Sequence, residues 1–403
     1  MGYISDLIQG LGPAGIVVKA ILAALIGDAL ILAFILLRRA YRKRHFAKRD
    51  ARVLHFRRFW SKLLSGEIPH HYWRGKAFDR GIVTSLALDA IETAPPEEAA
   101  QLLKFLRSQA LLENLVHEAE THSGWRRRRA LVALGRTRAP EAIPALAEGL
   151  RDKHPETRLA ALRGLGRTGL PSAAEEILKW VGEAGLAVPA LPLENALINC
   201  CRERPGLLLP FIAGASGPLR EVLARVLAEV ATSALETDII EMAWDSSPEL
   251  RASAARALAR AKPKTAVPIL TEMVKDPAWV VRLRAAVALG QIRTPLVVPP
   301  LVSVLTDPHR LVRLRAAQVL VEHDENPVAT FERVVETGDA YAQDAYITAA
   351  ENAGTYEALC EAIKQDRTMD AARRESLLAA ASFRLNSGEE RKSSVPQPDV
   401  VSS

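Results

Sequence analysis

Apolar positions in this chain follow two regimes. Ile16 to Leu37 is an almost unbroken apolar run of 22 residues, fourteen of them Leu, Ile, Val or Phe. From Gly124 to His323 the apolar residues come instead in short helical stripes that return every 31 residues. In "RLRAAVALG", for example, Leu283, Ala286, Val287 and Gly290 fall at helical spacing, and the alanines let a neighbouring helix approach. Stretches such as "AVPILTEMV" (266–274) and "VVPPLVSVL" (297–305) supply a second helix per unit. Two such helices cannot bury their apolar faces alone, so the pattern predicts stacked helical hairpins: an all-α solenoid.

The polar positions keep the same frame. Arg127, Arg158, Arg220, Arg251, Arg282 and Arg313 stand 31 residues apart or a multiple of it, with Pro189 at the one step without Arg. Six residues before these arginines come Asp152, Asp245, Asp276 and Asp307, whereas Thr121, Glu183 and Gly214 fill the other steps. Pro155, Pro248, Pro277 and Pro308 lie between Asp and Arg, which predicts a turn at Asp and a Pro-initiated helix. An Asp at such a turn can accept from the free N–H groups of the next helix, and Arg can reach an Asp of its own or the adjacent unit. The columns therefore read as a structural ladder. The unit "AVPALPLENALINCC" around Pro189 has neither charge and two prolines, which predicts a bend or irregular packing. These columns resemble the ladder of HEAT-like repeats, in particular the short variety of the phycobilin lyases. The likeness is clearest over 124–323, with the frame continuing weakly to Asp344 and Glu375.

The apolar run is close to the roughly 20 residues that cross a bilayer. Its Leu, Ile, Val and Phe each favour insertion by about 0.3–0.6 kcal/mol against about 2.5–3.5 for the central Asp28. Insertion should win. Basic residues follow the run instead of preceding it, which argues against a cleaved signal and places the chain beyond Arg38 in the cytoplasm. The expected setting is the inner membrane of a bacterium, single-pass, with the N-terminus outside. Ala20, Ala23, Ala24, Gly27 and Asp28 share one helical face, suited to close packing with a partner helix; the alternative is a polar residue tolerated in a sturdy anchor.

Charge sharpens this picture. The chain carries a net +6, but residues 38–62 hold eleven basic side chains against Asp50, so the rest is slightly acidic. Arg38, Arg39, Arg42, Lys43, Arg44, Lys48 and Arg49 predict contact with anionic lipid headgroups. Val53, Phe56, Trp60 and Leu63 give the segment an apolar face, which lies on the leaflet, caps the first repeat helices, or does both. The expected organisation is a span within 1–37, a basic amphipathic juxtamembrane helix over 38–66, a linker over 67–80, a solenoid over 81–385 and a disordered polar tail over 386–403.

Signs of catalysis are weak. No Gly-rich phosphate loop, nucleophile elbow or HExxH stands in the sequence. His70 and His71, and likewise His117 and His122, are pairs without recognisable further ligands, and Cys200, Cys201 and Cys360 form no metal-ligand spacing. The adjacent cysteines read as buried helix filler. "GWRRRR" (124–129) is the sharpest exposed candidate: Arg126, Arg128 and Arg129, with Arg136 and Arg138 nearby, suit an anion or an acidic partner loop, or else form a solvated face. Neither cofactor nor metal is expected, and no enzyme activity. The HEAT-like resemblance also implies two alternatives, a tetrapyrrole lyase and a DNA-binding solenoid, but the acidic balance beyond residue 62 argues against nucleic acid. The reading is a membrane-anchored scaffold or adaptor that binds and organises or regulates a membrane-embedded protein. By analogy that partner is a polysaccharide glycosyltransferase or a secretion component, with self-association through the span as another option.

Overall fold

The computed structural model describes residues 13–65, 67, 73, 76–323, 325–382 and 384. Among these are 22 α-helices, four short 3-10 turns and no strand. Two compact units divide the chain, Met1–Glu118 and Ala119–Ser403.

The first unit holds α1 (Pro13–Arg58), α2 (Trp60–Leu64), α3 (Ala77–Thr93) and α4 (Pro96–Ser108); α5 (Leu111–Thr121) crosses the boundary. The apolar run and the basic stretch are one helix. Residues 38–66 thus do not form an element of their own: 38–58 continue α1, and the chain breaks only at Phe59 before the single turn of α2. Nothing in 38–58 stops a helix, since Pro and Gly are absent there and Arg, Lys and Ala are good helix formers. Phe56 and Leu63 are buried, with Trp60 and Val53 half-buried, so this apolar face packs on protein and not on a leaflet. Trp60 and the buried Trp73 both meet the Phe105 ring, at 6.3 Å between centroids. Asp79 is almost wholly buried and receives Arg52 through two hydrogen bonds, 3.0 and 2.7 Å. That pair fastens α1 to the start of α3, which begins at Ala77, four residues before the expected edge of the solenoid.

The second unit begins its regular pattern with α6 (Gly124–Thr137). Hairpins follow: α7 (Ile143–Leu150) with α8 (Pro155–Thr168), α9 (Pro171–Ala184) with α10 (Ala190–Cys201), α11 (Leu209–Gly214) with α12 (Gly217–Val230), and α13 (Glu236–Met242) with α14 (Pro248–Ala261). Next come α15 (Ala266–Met273) with α16 (Trp279–Gln291), α17 (Val298–Val304) with α18 (Arg310–His323), α19 (Pro327–Glu336) with α20 (Ala340–Asn352), and α21 (Tyr356–Gln365) with α22 (Ala371–Ser382). The second helices of successive hairpins pack against one another, α6 on α8, α8 on α10 and onward to α20. Their small residues set the spacing. A Cβ on Gly135 would lie 2.3 Å from the Gly164 Cα, and one on Gly166 would lie 2.6 Å from the Ala196 Cα. Backbone therefore meets backbone, a separation no larger residue permits.

Pro155 and Pro248 open their helices as expected, but Pro277 and Pro308 do not. They stand in the turn directly after Asp276 and Asp307, two residues before α16 and α18 begin. Asp bonds the N–H of the residue beyond, so the ring of Pro, which has no N–H to lose, fits between them. The tail from 386, His70, His71 and residues 68–72, 74 and 75 of the expected 67–80 linker lie outside the described residues, and α3 takes up the end of that linker from Ala77.

Candidate functional site

The Asp and Arg columns are joined as one ladder, and it is structural. Asp152, Asp245, Asp276 and Asp307 each accept from the backbone N–H two residues on, at 2.7–2.9 Å. The acceptor reaches the N–H of the residue just before the helix rather than those of its first turn. Each Arg then bridges two units. Arg251 donates to both carboxylate oxygens of Asp276 in the next unit, at 2.7 and 2.8 Å, and to the Asp245 carbonyl of its own at 2.9 Å. Arg282 does the same with Asp307 and the Asp276 carbonyl. Arg220 reaches Asp245, and Arg127 reaches Asp152. Arg313 keeps the bond to the Asp307 carbonyl of its own unit, with Tyr341 under its guanidinium at 5.0 Å. Burial works to raise the Asp276 carboxyl, but the Arg251 bonds and the Ala278 N–H together outweigh it and hold its pKa below the usual range.

The ladder is interrupted where the sequence departs from its frame. Arg158 bonds the carbonyls of Asp152 and Lys153, while Glu183, in the place of the next Asp, pairs instead with Arg151 at 3.7 Å. The Arg158 Nε is buried without a partner. Pro189 is the residue before α10, and the connection from Gly185 turns through φ +66°. The missing charges of this unit account for the interrupted ladder, while α10 still packs closely on α8, Gly166 against Ala196.

Cys200 and Cys201 are fully buried in α10, and burial pushes their thiols up to about 11 and about 12. They are packing residues, not nucleophiles. Among the described residues no three His, Cys, Asp or Glu side chains converge as metal ligands, His117 and His122 included.

Two features remain with their chemistry exposed. The first is α1. Ala20, Ala23, Ala24 and Asp28 are exposed on it, as are the large apolar residues from Ile21 to Leu37, and Arg38, Arg39, Arg42, Lys43, Arg44, Lys48 and Arg49 follow on the same helix. Lys48 also lies over the Phe78 ring at 5.7 Å. Among the described residues α1 is the one helix long and apolar enough to cross a membrane.

The second is a cleft of about 690 Å³ between α6 and α8. Arg128, Arg129 and Val132 form one wall, Leu159, Arg163 and Arg167 the other, and Ala160 and Gly164 the floor. Trp125 stands at its end, 60% exposed, with the guanidinium carbons of Arg126 and Arg129 each 5.7 Å from its ring. Exposed Trp flanked by Arg is the composition of binding hot spots. The cleft unites Arg128 and Arg129 of the "GWRRRR" run with Arg163 and Arg167, which the sequence does not single out; Arg167 follows Arg136 by 31 residues, whereas Arg163 stands where the frame earlier has Val132. Further along, Arg225 and Arg256, which stand in the frame where Arg163 does, are neutralised: Glu194 pairs with Arg225 at 2.8 Å and Glu229 with Arg256 at 3.7 Å.

HEAT repeats match residues 108–185, 207–288 and 236–321. No curated protein sequence matches the chain. Among solved structures it resembles an engineered protein (19% identity, 75% of this chain and 94% of that one, TM-score 0.35). It also resembles Escherichia coli YibA (17%, 59% and 91%, 0.36) and the CpcE–CpcF complex of phycocyanin lyase from Nostoc (16%, 63% and 94%, 0.26). Likenesses of this size say nothing about activity. The gap between the matched segments, 186–206, is where the ladder is interrupted. Spacing, hairpins, ladder and sequence match agree: this is a HEAT-repeat protein, its array broken once, at α10.

Proposed function

We propose that the chain is a membrane-anchored scaffold whose HEAT-repeat array binds and organises or regulates a membrane-embedded protein. One observation carries this reading: α1 leaves its apolar half wholly exposed while its other end is fastened into folded protein by the Arg52–Asp79 pair and the buried Phe56. An exposed apolar helix of this length costs far more in water than in lipid. The eleven basic residues of 38–62 favour the cytoplasmic side for everything beyond the span, in a membrane of bacterial inner-membrane type. Because α1 rises about 1.5 Å per residue without a break, only Arg38 to about Arg44 stand near the headgroups, and Arg49 lies about 18 Å beyond Leu37. The basic stretch is then mostly a stalk, with lipid contact confined to its base.

Within the span, Ala20, Ala23, Ala24, Gly27 and Asp28 form the face on which a partner helix, or a second copy, packs with its backbone close and its polar group on the carboxyl. A polysaccharide-synthesising glycosyltransferase or a secretion component would suit such an adaptor. The test is extraction of tagged protein from native membranes in mild detergent and identification of the copurifying proteins, wild type against Asp28→Leu. A stoichiometric membrane protein lost with Asp28→Leu supports recognition through the span. Loss of no protein with the variant moves recognition to the array. A wild type that brings down no membrane protein ends the scaffold reading.

A further inference from the structure

Three cations in the α6–α8 cleft, Arg128, Arg129 and Arg163, stand outside every ion pair of the described residues, and only Arg129 finds a partner, the Trp125 face. One carboxylate, Glu156, lines the cleft with them. The first turn of α6 contains no acidic residue, so its free N–H groups add to the positive potential at the same end. Two arginines further along this row of helices are answered instead, Arg225 by Glu194 and Arg256 by Glu229. The cleft is also not purely polar. Trp125 and Val132 are exposed, Leu159 is half-buried, and Ala160 and Gly164 keep the floor low.

These features limit the occupant. A nucleic acid needs a basic track that continues along the backbone, and here the next helix puts Glu194 where Arg163 recurs in the frame. A bare phosphate would leave Trp125, Val132 and Leu159 in water. We propose that the cleft takes an acidic peptide segment of a partner protein, its carboxylates on Arg128, Arg129 and Arg163 and an apolar side chain against Trp125, Val132 and Leu159. Arg forks match carboxylates two bonds at a time, and Trp125 with its flanking guanidinia supplies a rigid apolar surface. The site deepens the scaffold reading by giving the array a ligand chemistry, and it rests on that reading only for the identity of the partner.

The experiment uses the full chain in phosphatidylcholine nanodiscs and a fluorescein-labelled peptide of Glu and Asp residues around a central Phe-Leu pair, read by anisotropy. Saturable binding is expected, weakening as added salt shortens the screening length below about 10 Å. Arg129→Glu with Arg163→Glu should weaken it about tenfold or more, the usual effect of losing charged anchors at a hot spot. Trp125→Ala should weaken it with little change in salt dependence, Arg163→Lys, which keeps the charge and loses the fork, should weaken it less than Arg163→Glu, and melting curves confirm that each variant is folded. Absence of peptide binding, or binding that ignores both variants, overturns the proposal. So does a single-stranded oligonucleotide or an anionic vesicle that binds more tightly than the peptide through the same residues. A native partner that still copurifies with the double Glu variant sinks the cleft as its site and leaves the scaffold intact; peptide binding without any native partner does the reverse.

Discussion

At the scale of single residues, the ladder makes a specific claim about acid. Asp245 and Asp276 have carboxyls held below their ordinary pKa; burial opposes this, and Arg220 or Arg251 with a backbone N–H overcomes it. A carboxyl depressed on folding contributes stability that is present above its unfolded pKa, about 3.9, and lost as pH falls through the folded value. The array should therefore lose stability below about pH 4, and Asp276→Asn should remove part of that dependence while costing about 1–3 kcal/mol at neutral pH, read from urea midpoints. Arg251→Met with Asp276→Leu should cost less than either change alone, since no buried charge is left stranded. Glycine gives a second test at this scale. Ala normally favours a helix over Gly by about 1 kcal/mol, yet Gly135→Ala would force α6 and α8 apart, and the overpacking penalty of about 1–3 kcal/mol should win. A stabilised Gly135→Ala would mean that the two helices sit further apart than 2.3 Å between that Cβ and Gly164 allows. Both features were visible beforehand as columns in a 31-residue frame, but the direction of each bond was not. Arg reaches forward to the next unit with its guanidinium and back to its own with the same group, and spacing alone gives both options equal standing.

Among the elements, the informative contrast is between α14–α16, where the ladder is whole, and α8–α10, where it fails. Arg158 lacks a carboxylate ahead of it and holds only two carbonyls. Arg158→Ala should accordingly cost less than Arg251→Ala, and amides of α10 should exchange faster than those of α16 in native-state hydrogen exchange, because local opening there breaks no rung of the Asp–Arg ladder and only the Glu194–Arg225 pair. Equal protection would show that close packing of Gly166 on Ala196 holds this junction without help. The sequence announces the interruption because charge loss and proline gain fall in one unit. It conceals the unity of α1, since composition changes sharply at Leu37 and backbone conformation does not. A switch from apolar to basic residues marks a change of solvent, whereas a helix ends only where a residue or a cap ends it. The cleft was half legible for a related reason. "GWRRRR" is conspicuous as a run, while Arg163 and Arg167 join it only once α6 and α8 lie side by side.

For the molecule as a whole, the consequence of a continuous α1 is a distance. If residues 16–37 occupy the bilayer, Tyr41 lies about 6 Å beyond the apolar core and Leu54 about 26 Å, at 1.5 Å per residue. Headgroups extend only some 5–8 Å on each side, taking a core of about 30 Å within a total of about 40–45 Å. The Arg52–Asp79 fastening thus sits clear of the lipid, and the first unit is held off the surface by its own helix and not laid upon it. Tyr41 and Leu54 are both exposed, so spin labels there report their surroundings with little disturbance. Labels at Tyr41→Cys, introduced with the three native cysteines replaced, should be relaxed by both oxygen and a water-soluble nickel chelate, as at an interface. Labels at Leu54→Cys should respond to the chelate alone. Anionic lipid should draw the Tyr41 site closer to the headgroups, through Arg38 to Arg44, and leave Leu54 unchanged. A Leu54 label that gains oxygen access in anionic vesicles would mean that α1 bends at the interface and its basic half lies on the leaflet. The burial of Phe56 and Leu63 against protein argues for the upright arrangement, because a helix lying in the leaflet would need that same apolar face for lipid.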